Sequence, residues 1–286
     1  MRYGSVCSGI EAATIAWHSL GWVPSFFSEI EAFPRAVLEH HYPEVPVHGD
    51  FTTIGADQYG PIDLLVGGTP CQSFSIAGLR KGLDDDRGNL SLEFIKLAQR
   101  ERPRWVVWEN VPGVLSSNGG KDFGSFLGAL GEIGYGFAYR VLDASGFGVC
   151  QPRRRVFVVG FYADWRRSAA VLFDRKSLAG TPKKRPKIES EGALFFRGGN
   201  RAIDREWPET LSARDCNEPQ LVTTENYVRK LTPLEYERLQ GFPDGYTNIK
   251  DKCPDGPRYK ALGNSMAVPV MKWIGERIQM VDSITS

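Results

Sequence analysis

Trp105-Val106-Val107-Trp108-Glu109-Asn110 decides the fold. Four bulky apolar residues follow one another without alternation, and a carboxylate and an amide close the run. A short continuous apolar run of this kind reads as a strand covered on both faces. Ile62 to Val66 has the same texture and opens into a Gly-rich loop (Gly67, Gly68, Gly78, Gly82). A helical pattern from Leu90 to Arg100 lies between the two runs. Upstream, strands are expected at Tyr3 to Cys7, Val23 to Ser28 and Val45 to His48, with helices from Glu11 to Leu20 and Ala32 to His41. Downstream, a helix from Phe123 to Ile133 precedes strands at Phe137 to Leu142 and Val156 to Phe161. Strands alternating with helices imply an α/β fold with a doubly wound, mostly parallel sheet.

The texture changes after Phe161. Asp164 to Tyr227 is basic and polar with weak periodicity, and Thr181-Pro182-Lys183-Lys184-Arg185-Pro186-Lys187 reads as a surface loop. Short strands are expected around Leu194-Phe195-Phe196 and Leu221-Val222. Trp207, Phe195 and Phe196 need burial, so the segment is read as a second, smaller domain. Thr232-Pro233-Leu234-Glu235 is a capping box with proline at the first helical position. From Ser265 onward a helix places Met271, Ile274 and Ile278 on one face. The expected division is 1–163 plus 255–286 for the large domain and 164–254 for the small one.

The chain has 286 residues, 42% apolar and 24% charged, which suits one large globular domain with an attachment and excludes wholesale disorder. Lys and Arg number 35 and Asp and Glu 34, a balance that by itself argues against nucleic acid. The average hides an asymmetry: residues 1–100 carry a net −5 and residues 151–200 a net +8. Five cysteines, odd in number and widely spaced, exclude a disulfide framework or zinc motif, and the histidines have no metal-ligand spacing, so no metal is expected. No membrane span or signal peptide is read, and the default is a cytoplasmic protein.

In open parallel sheets, ligands bind beyond the carboxyl ends of the strands. That rule selects Glu29, Asp50, Pro70-Cys71-Gln72 and Glu109-Asn110 as residues of one rim. Each alone could be a cap or a turn residue; four in succession point to a site. Cys71, on a polar Gly-rich loop, is a nucleophile candidate. Glu109 closes a very apolar strand, where burial would raise its pKa and let it donate a proton near neutrality. A thiol and a proton-donating acid suit conjugate addition to an electron-poor ring.

With these residues in place the chain resembles the cytosine-C5 DNA methyltransferase family over most of its length. Pro70-Cys71-Gln72 with Phe74-Ser75 resembles the nucleophile loop, and Glu109-Asn110-Val111 the acid motif. Gln151-Pro152-Arg153-Arg154-Arg155 resembles the Gln-x-Arg-x-Arg motif. Leu239-Gln240-Gly241-Phe242-Pro243 and Gly263-Asn264-Ser265 resemble the last motifs. The first motif departs from the usual aromatic-x-Gly-x-Gly: Cys7 stands for the aromatic and Glu11 for the last glycine, a variant associated with phage and prophage members.

The resemblance implies a Rossmann-like methyltransferase sheet with a target-recognition domain, and S-adenosylmethionine as cofactor with S-adenosylhomocysteine as product. It places Cys7, Ser8, Gly9 and Ile10 around the cofactor, Glu29 on the ribose hydroxyls and Ile30 on the adenine. Asp50 would accept from the adenine amino group beside Phe51. Pro70 and Leu90 would line the cofactor, and Asn264 and Ser265 would close its pocket. Cys71 would attack carbon 6 of a flipped cytosine, Glu109 act at N3, Arg155 bind the O2 side, and Arg153 position the nucleophile loop. Gln72, Gln151, Arg166, Arg167, Lys183, Lys184, Arg185, Lys187, Thr210 and Leu211 are the expected DNA contacts. The implied partner is double-stranded DNA, bound by a monomer, with or without a cognate restriction endonuclease, in a bacterial or phage-infected cell. Relatives acting on tRNA carry an insert near the last motifs that is not seen here. A silent DNA-binding scaffold would not need Cys71, Glu109 and Arg155 together, and an oxidoreductase would need a Gly-x-Gly-x-x-Gly fingerprint that is missing.

Overall fold

The computed structural model describes residues 1–70, 90–173, 194–196, 209–217, 219–223 and 228–284. The central sheet holds β1 (Arg2–Val6), β2 (Val23–Ser28), β3 (Val47–His48), β4 (Leu64–Gly67), β5 (Trp105–Asn110), β6 (Tyr135–Asp143) and β7 (Arg154–Tyr162). Their order is β3-β2-β1-β4-β5-β7-β6, with β7 alone running against its neighbours. The helices are α1 (Ala12–Trp17), α2 (Ala32–His41), α3 (Leu90–Glu101), α4 (Lys121–Glu132), α5 (Trp165–Leu172), α6 (Pro233–Gln240), α7 (Asp255–Asn264) and α8 (Val268–Ser283). A second antiparallel sheet, β10-β9-β8, joins β8 (Leu194–Phe196), β9 (Leu221–Thr223) and β10 (Val228–Lys230).

Strict alternation along the strands builds a core on each face of the sheet. Tyr3, Leu64, Val66, Trp105, Val107, Phe157 and Val159 face one way, toward Trp17 of α1 and Met271, Ile274 and Ile278 of α8. Phe26, Leu65, Val106, Trp108, Val156 and Val158 face the other, toward Phe94 of α3 and Phe126 of α4. Trp105 and Trp108 are therefore both fully buried, on opposite faces, which is what the unbroken apolar run foretold. Truncating either to alanine would cost about 3–5 kcal/mol.

Three features differ from the expectation. β5 runs on to Asn110, so Glu109 lies inside the strand rather than after it. Asp164 to Leu172 also stays with the large sheet. Asp164 caps α5 by accepting from the Arg166 N–H, and α5 packs on β6, β7 and α8. Its apolar face holds Val171 and Leu172 at full burial, in a pattern that the charged residues around it hid. Leu231, Tyr236, Phe242 and Tyr246 join the same core, so residues 231 to 246, placed in the small domain by the expected division, pack with the large one.

Candidate active site

The strand order reverses between β1 and β4, the topological switch point where open α/β sheets hold ligands. A cleft of about 540 Å³ opens there. Its lining comes from the loops after β1, β2, β3, β4 and β5, the start of β7, and the end of α7.

The loop after β1 is held in a tight left-handed path, with φ of +49° at Cys7, +57° at Gly9 and +62° at Glu11. The Gly9 N–H donates to Glu29 Oε2 at 2.8 Å, while the N–H groups of Ile30 and Glu31 donate to Glu29 Oε1, each at 2.8 Å. Three backbone donors thus fix the carboxylate at the mouth of the cleft, with lone pairs left for hydroxyl donors. Ile30 is 74% exposed there, an apolar side chain open to a ring. Asp50 accepts from the Thr52 N–H at 3.0 Å and keeps an exposed carboxylate beside buried Phe51. Cys7 lines the same wall; burial first, then the charges of Glu29 and Asp50, push its thiol up to about 12, so it stays protonated and is no competing nucleophile. Ile10 is fully buried and outside the cleft lining, so its side chain does not reach the wall where a cofactor contact was expected.

The far wall is acidic and basic at once. Glu109 Oε1 lies 3.0 Å from Arg155 Nε. Burial raises the Glu109 pKa above the usual carboxylate range, opposed by the charges of Arg155 and Arg153. The end of β4 approaches this carboxylate closely: a Cβ on Gly68 would stand 3.0 Å from Glu109 Oε2 and 3.2 Å from Met266 Cε. Thr69 then pins the chain where it leaves the sheet. Its Oγ1 accepts from Trp108 Nε1 at 2.9 Å and lies 2.8 Å from Ser91 Oγ, and its carbonyl accepts from Asn110 Nδ2 at 3.0 Å. Pro70 follows on the rim, and Cys71 and Gln72 lie outside the described residues. Gly68 and Thr69 are not among the site residues expected from sequence; the Gly67-Gly68 pair is the available signal, and by itself it marks only a Gly-rich loop.

Arg153 is buried beneath the cleft. It donates through Nη1 to the Leu211 carbonyl at 2.8 Å, and through Nη2 to those of Gly263 at 3.0 Å and Ser265 at 2.7 Å. Burial, then Arg155, pushes its pKa down to about 9, and it remains cationic at neutral pH. Gln151 is likewise buried. Its Nε2 donates to the Leu239 carbonyl and Gln240 Oε1, and its Oε1 accepts from the Leu211 N–H. Thr210 Oγ1 donates to the Pro152 carbonyl. Gln151, Thr210 and Leu211 were expected on DNA; Gln151 and Leu211 are instead fully buried, and all three hold the start of residues 209–223 against the arginine motif. Close approach explains Gly263 as well, since a Cβ there would stand 2.2 Å from the Ser212 carbonyl. Ser265 is buried beside it, Asn264 is exposed at the cleft, and half-buried Leu90 lines it from the start of α3.

Arg166 and Arg167 are a second correction. They sit on the first turn of α5, just past Tyr162, the end of β7 that pairs with the N-terminal side of β5. Arg155 is seven residues away along the strand, roughly 23 Å at strand rise. Arg167 lies over the Phe161 ring at 4.4 Å and 3.8 Å from Asp164. Both are therefore at the opposite end of the sheet from the cleft. Lys183, Lys184, Arg185 and Lys187 lie outside the described residues. Among the described residues no cluster fits a metal ion, and no helix is long and apolar enough to cross a membrane.

The C-5 cytosine-specific DNA methylase family model matches residues 1–191 and 183–280. A protein of Escherichia phage P1, named as a DNA N-6-adenine-methyltransferase, is 34% identical over 96% of this chain; the chain spans about three fifths of that relative, 61% of its length. The type II methyltransferase M2.BsuMI of Bacillus subtilis is 30% identical over 97% of this chain and 75% of its own. In structure, the Dnmt2 methyltransferase of S. pombe superposes with a TM-score of 0.71 over 100% of both chains at 15% identity, a likeness of fold alone. Motif order, the cleft at the switch point and these matches agree: the chain belongs to the C-5 cytosine-specific DNA methylase family.

Proposed function

We propose that the protein is a DNA cytosine-5 methyltransferase that draws on S-adenosylmethionine and releases S-adenosylhomocysteine. The observation that carries this is the Glu109–Arg155 pair. A raised-pKa carboxyl, oriented by a guanidinium, faces a cleft at the switch point, beside the pinned strand end that leads into Cys71. The cleft suits the cofactor: a fixed carboxylate for ribose hydroxyls and an exposed isoleucine for a ring. When bound, S-adenosylmethionine supplies a methyl group on a sulfonium.

Cytosine carbon 5 is a poor nucleophile. Addition of the Cys71 thiolate to carbon 6 makes the ring enamine-like, and carbon 5 then accepts the methyl group. Glu109 donates a hydrogen bond or its proton to N3, neutralising charge that builds there. Arg155 holds Glu109 in place and binds O2. Loss of the carbon-5 proton and departure of the thiolate restore the aromatic ring. The thiol cannot reach a stacked base, so the cytosine is flipped out at a cost of a few kcal/mol. Arg153 carries a buried Nε with no partner among the described residues, a donor left for positioning the nucleophile loop. Residues 173 to 230 read the target, with Lys183, Lys184, Arg185 and Lys187 on phosphates and Gln72 at the base. The protein works as a monomer in the cytoplasm of a bacterial or phage-infected cell, alone or beside a cognate restriction endonuclease.

The name of the phage P1 relative raises a second reading, methylation of adenine N6. An exocyclic amine needs no thiol addition, so the two separate cleanly. Labelled methyl transfer to duplex DNA, followed by digestion to nucleosides, should give 5-methylcytosine, lost in Cys71→Ser. N6-methyladenine, label only in RNA, or activity that survives Cys71→Ser would overturn the proposal.

A further inference from the structure

The loop after β1 carries a buried carboxylate that the chemistry above leaves unused. Glu11 is 1% exposed, has φ +62° and ψ +60°, and lines the cleft. A side chain in this left-handed region is disfavoured and persists only where its surroundings over-determine it. Here three donors do so. Oε1 accepts from Ser5 Oγ on β1, and Oε2 accepts from the Thr14 N–H at 3.1 Å and Thr14 Oγ1 at 2.6 Å. Thr14 Oγ1 in turn lies 2.7 Å from the Tyr3 hydroxyl. The carboxylate therefore ties β1 to the first turn of α1 across the loop between them. Glu29 grips the same loop at the Gly9 N–H, and the Tyr246 hydroxyl grips it at the Ile10 carbonyl, 2.9 Å away.

We propose that Glu11 is a positioning residue for S-adenosylmethionine: it fixes the left-handed path of Cys7 to Glu11 before the cofactor arrives. The proposal rests on the cofactor reading above. A loop already in its bound shape loses little conformational freedom on binding, and the gain appears as affinity. The neighbours of the carboxylate share the work, so the effect is graded. Alanine at position 11 keeps the backbone strain and loses all three bonds. Glycine loses the bonds but adopts the left-handed conformation without strain.

The test is calorimetric titration of S-adenosylhomocysteine into the full-length wild type and the Glu11→Ala, Glu11→Gly, Ser5→Ala and Thr14→Val variants, with steady-state kinetics alongside. Loss of the three hydrogen bonds that hold the loop predicts a binding constant weaker by at least about tenfold in Glu11→Ala. Glu11→Gly falls between it and the wild type, and Ser5→Ala and Thr14→Val each weaken binding by a few-fold. The KM for S-adenosylmethionine rises by matching factors, while kcat at saturation falls less than about threefold, as expected when uniform binding is lost. Binding within twofold of wild type in folded variants, or a loss confined to kcat, overturns the proposal. Should Glu11→Ala fail to fold, Glu11→Gly and Thr14→Val decide on the same criterion. A wild type that binds no S-adenosylhomocysteine overturns the cofactor reading instead.

Discussion

Glu109 and Arg155 meet across two antiparallel strands, with Oε1 3.0 Å from Nε. Glu109 is paired with Phe157 in the register, so Arg155, two residues before Phe157, is its diagonal neighbour on the same face. The reversal of β7 is what permits this. A parallel β7 would carry Arg155 to the other end of the sheet.

Glu109→Gln should lower kcat by roughly 10²–10⁴-fold, the usual worth of a positioned proton donor. Cofactor binding should change little, since the substitution keeps the size of the side chain. Single-turnover methyl transfer with saturating S-adenosylmethionine, beside calorimetry with S-adenosylhomocysteine, separates the two.

The raised pKa of Glu109 has a sign in stability. The unfolded chain releases this proton in the ordinary carboxylate range, and the folded chain holds it to higher pH. Between those values the native state binds more protons, so stability falls as pH rises through the interval. Glu109→Gln has no such titration. Its melting temperature relative to wild type should therefore increase from pH 5 to pH 8, and a difference independent of pH would contradict the assignment.

Arg153→Lys should be nearly as damaging as Arg153→Ala. The planar fork reaches the Leu211, Gly263 and Ser265 carbonyls together, and an ammonium on a flexible stem does not reproduce that geometry. Each carbonyl left unsatisfied costs about 1–3 kcal/mol. Urea unfolding midpoints of both variants should fall well below wild type.

Gly68→Ala is expected to leave the fold intact while cutting turnover. Its Cβ would meet the Glu109 carboxylate at 3.0 Å and Met266 Cε at 3.2 Å, both ends of side chains able to give. Moving a catalytic group by even 1 Å can cost on the order of 10²-fold. Gly263→Ala meets backbone at 2.2 Å and should not fold normally. Circular dichroism melts and kcat, measured together, distinguish a misplaced acid from a misfolded chain.

Neutralising Lys183, Lys184, Arg185 and Lys187 together should flatten the salt dependence of DNA binding. If all four meet phosphates, the slope of log K against log salt falls in magnitude by about 3.6. Equal slopes for the quadruple variant and wild type, from anisotropy titrations at several salt concentrations, would show that these side chains lie off the DNA.

Much of the large sheet was legible in the sequence because burial on both faces forces unbroken apolar runs, and caps and glycines punctuate them. Val23–Ser28 and Ala32–His41 have the expected limits, and Glu29, Asp50 and Glu109 could be placed on one rim by the strand-end rule alone. Chain order and residue type carried that far. What they do not carry is the far end of a long-range contact. Arg166 and Arg167 have the charge of phosphate ligands, yet the direction of β7 puts them at the wrong end of the sheet. Gln151 and Leu211 read as DNA contacts, yet both are buried in an internal seam. Thr69 and Gly68 matter only because Trp108, Asn110, Ser91 and Met266 arrive from elsewhere in the chain. Local propensity and pattern fix what each segment becomes; strand order and packing decide which side chains share a cleft, because those contacts join residues that the sequence keeps far apart.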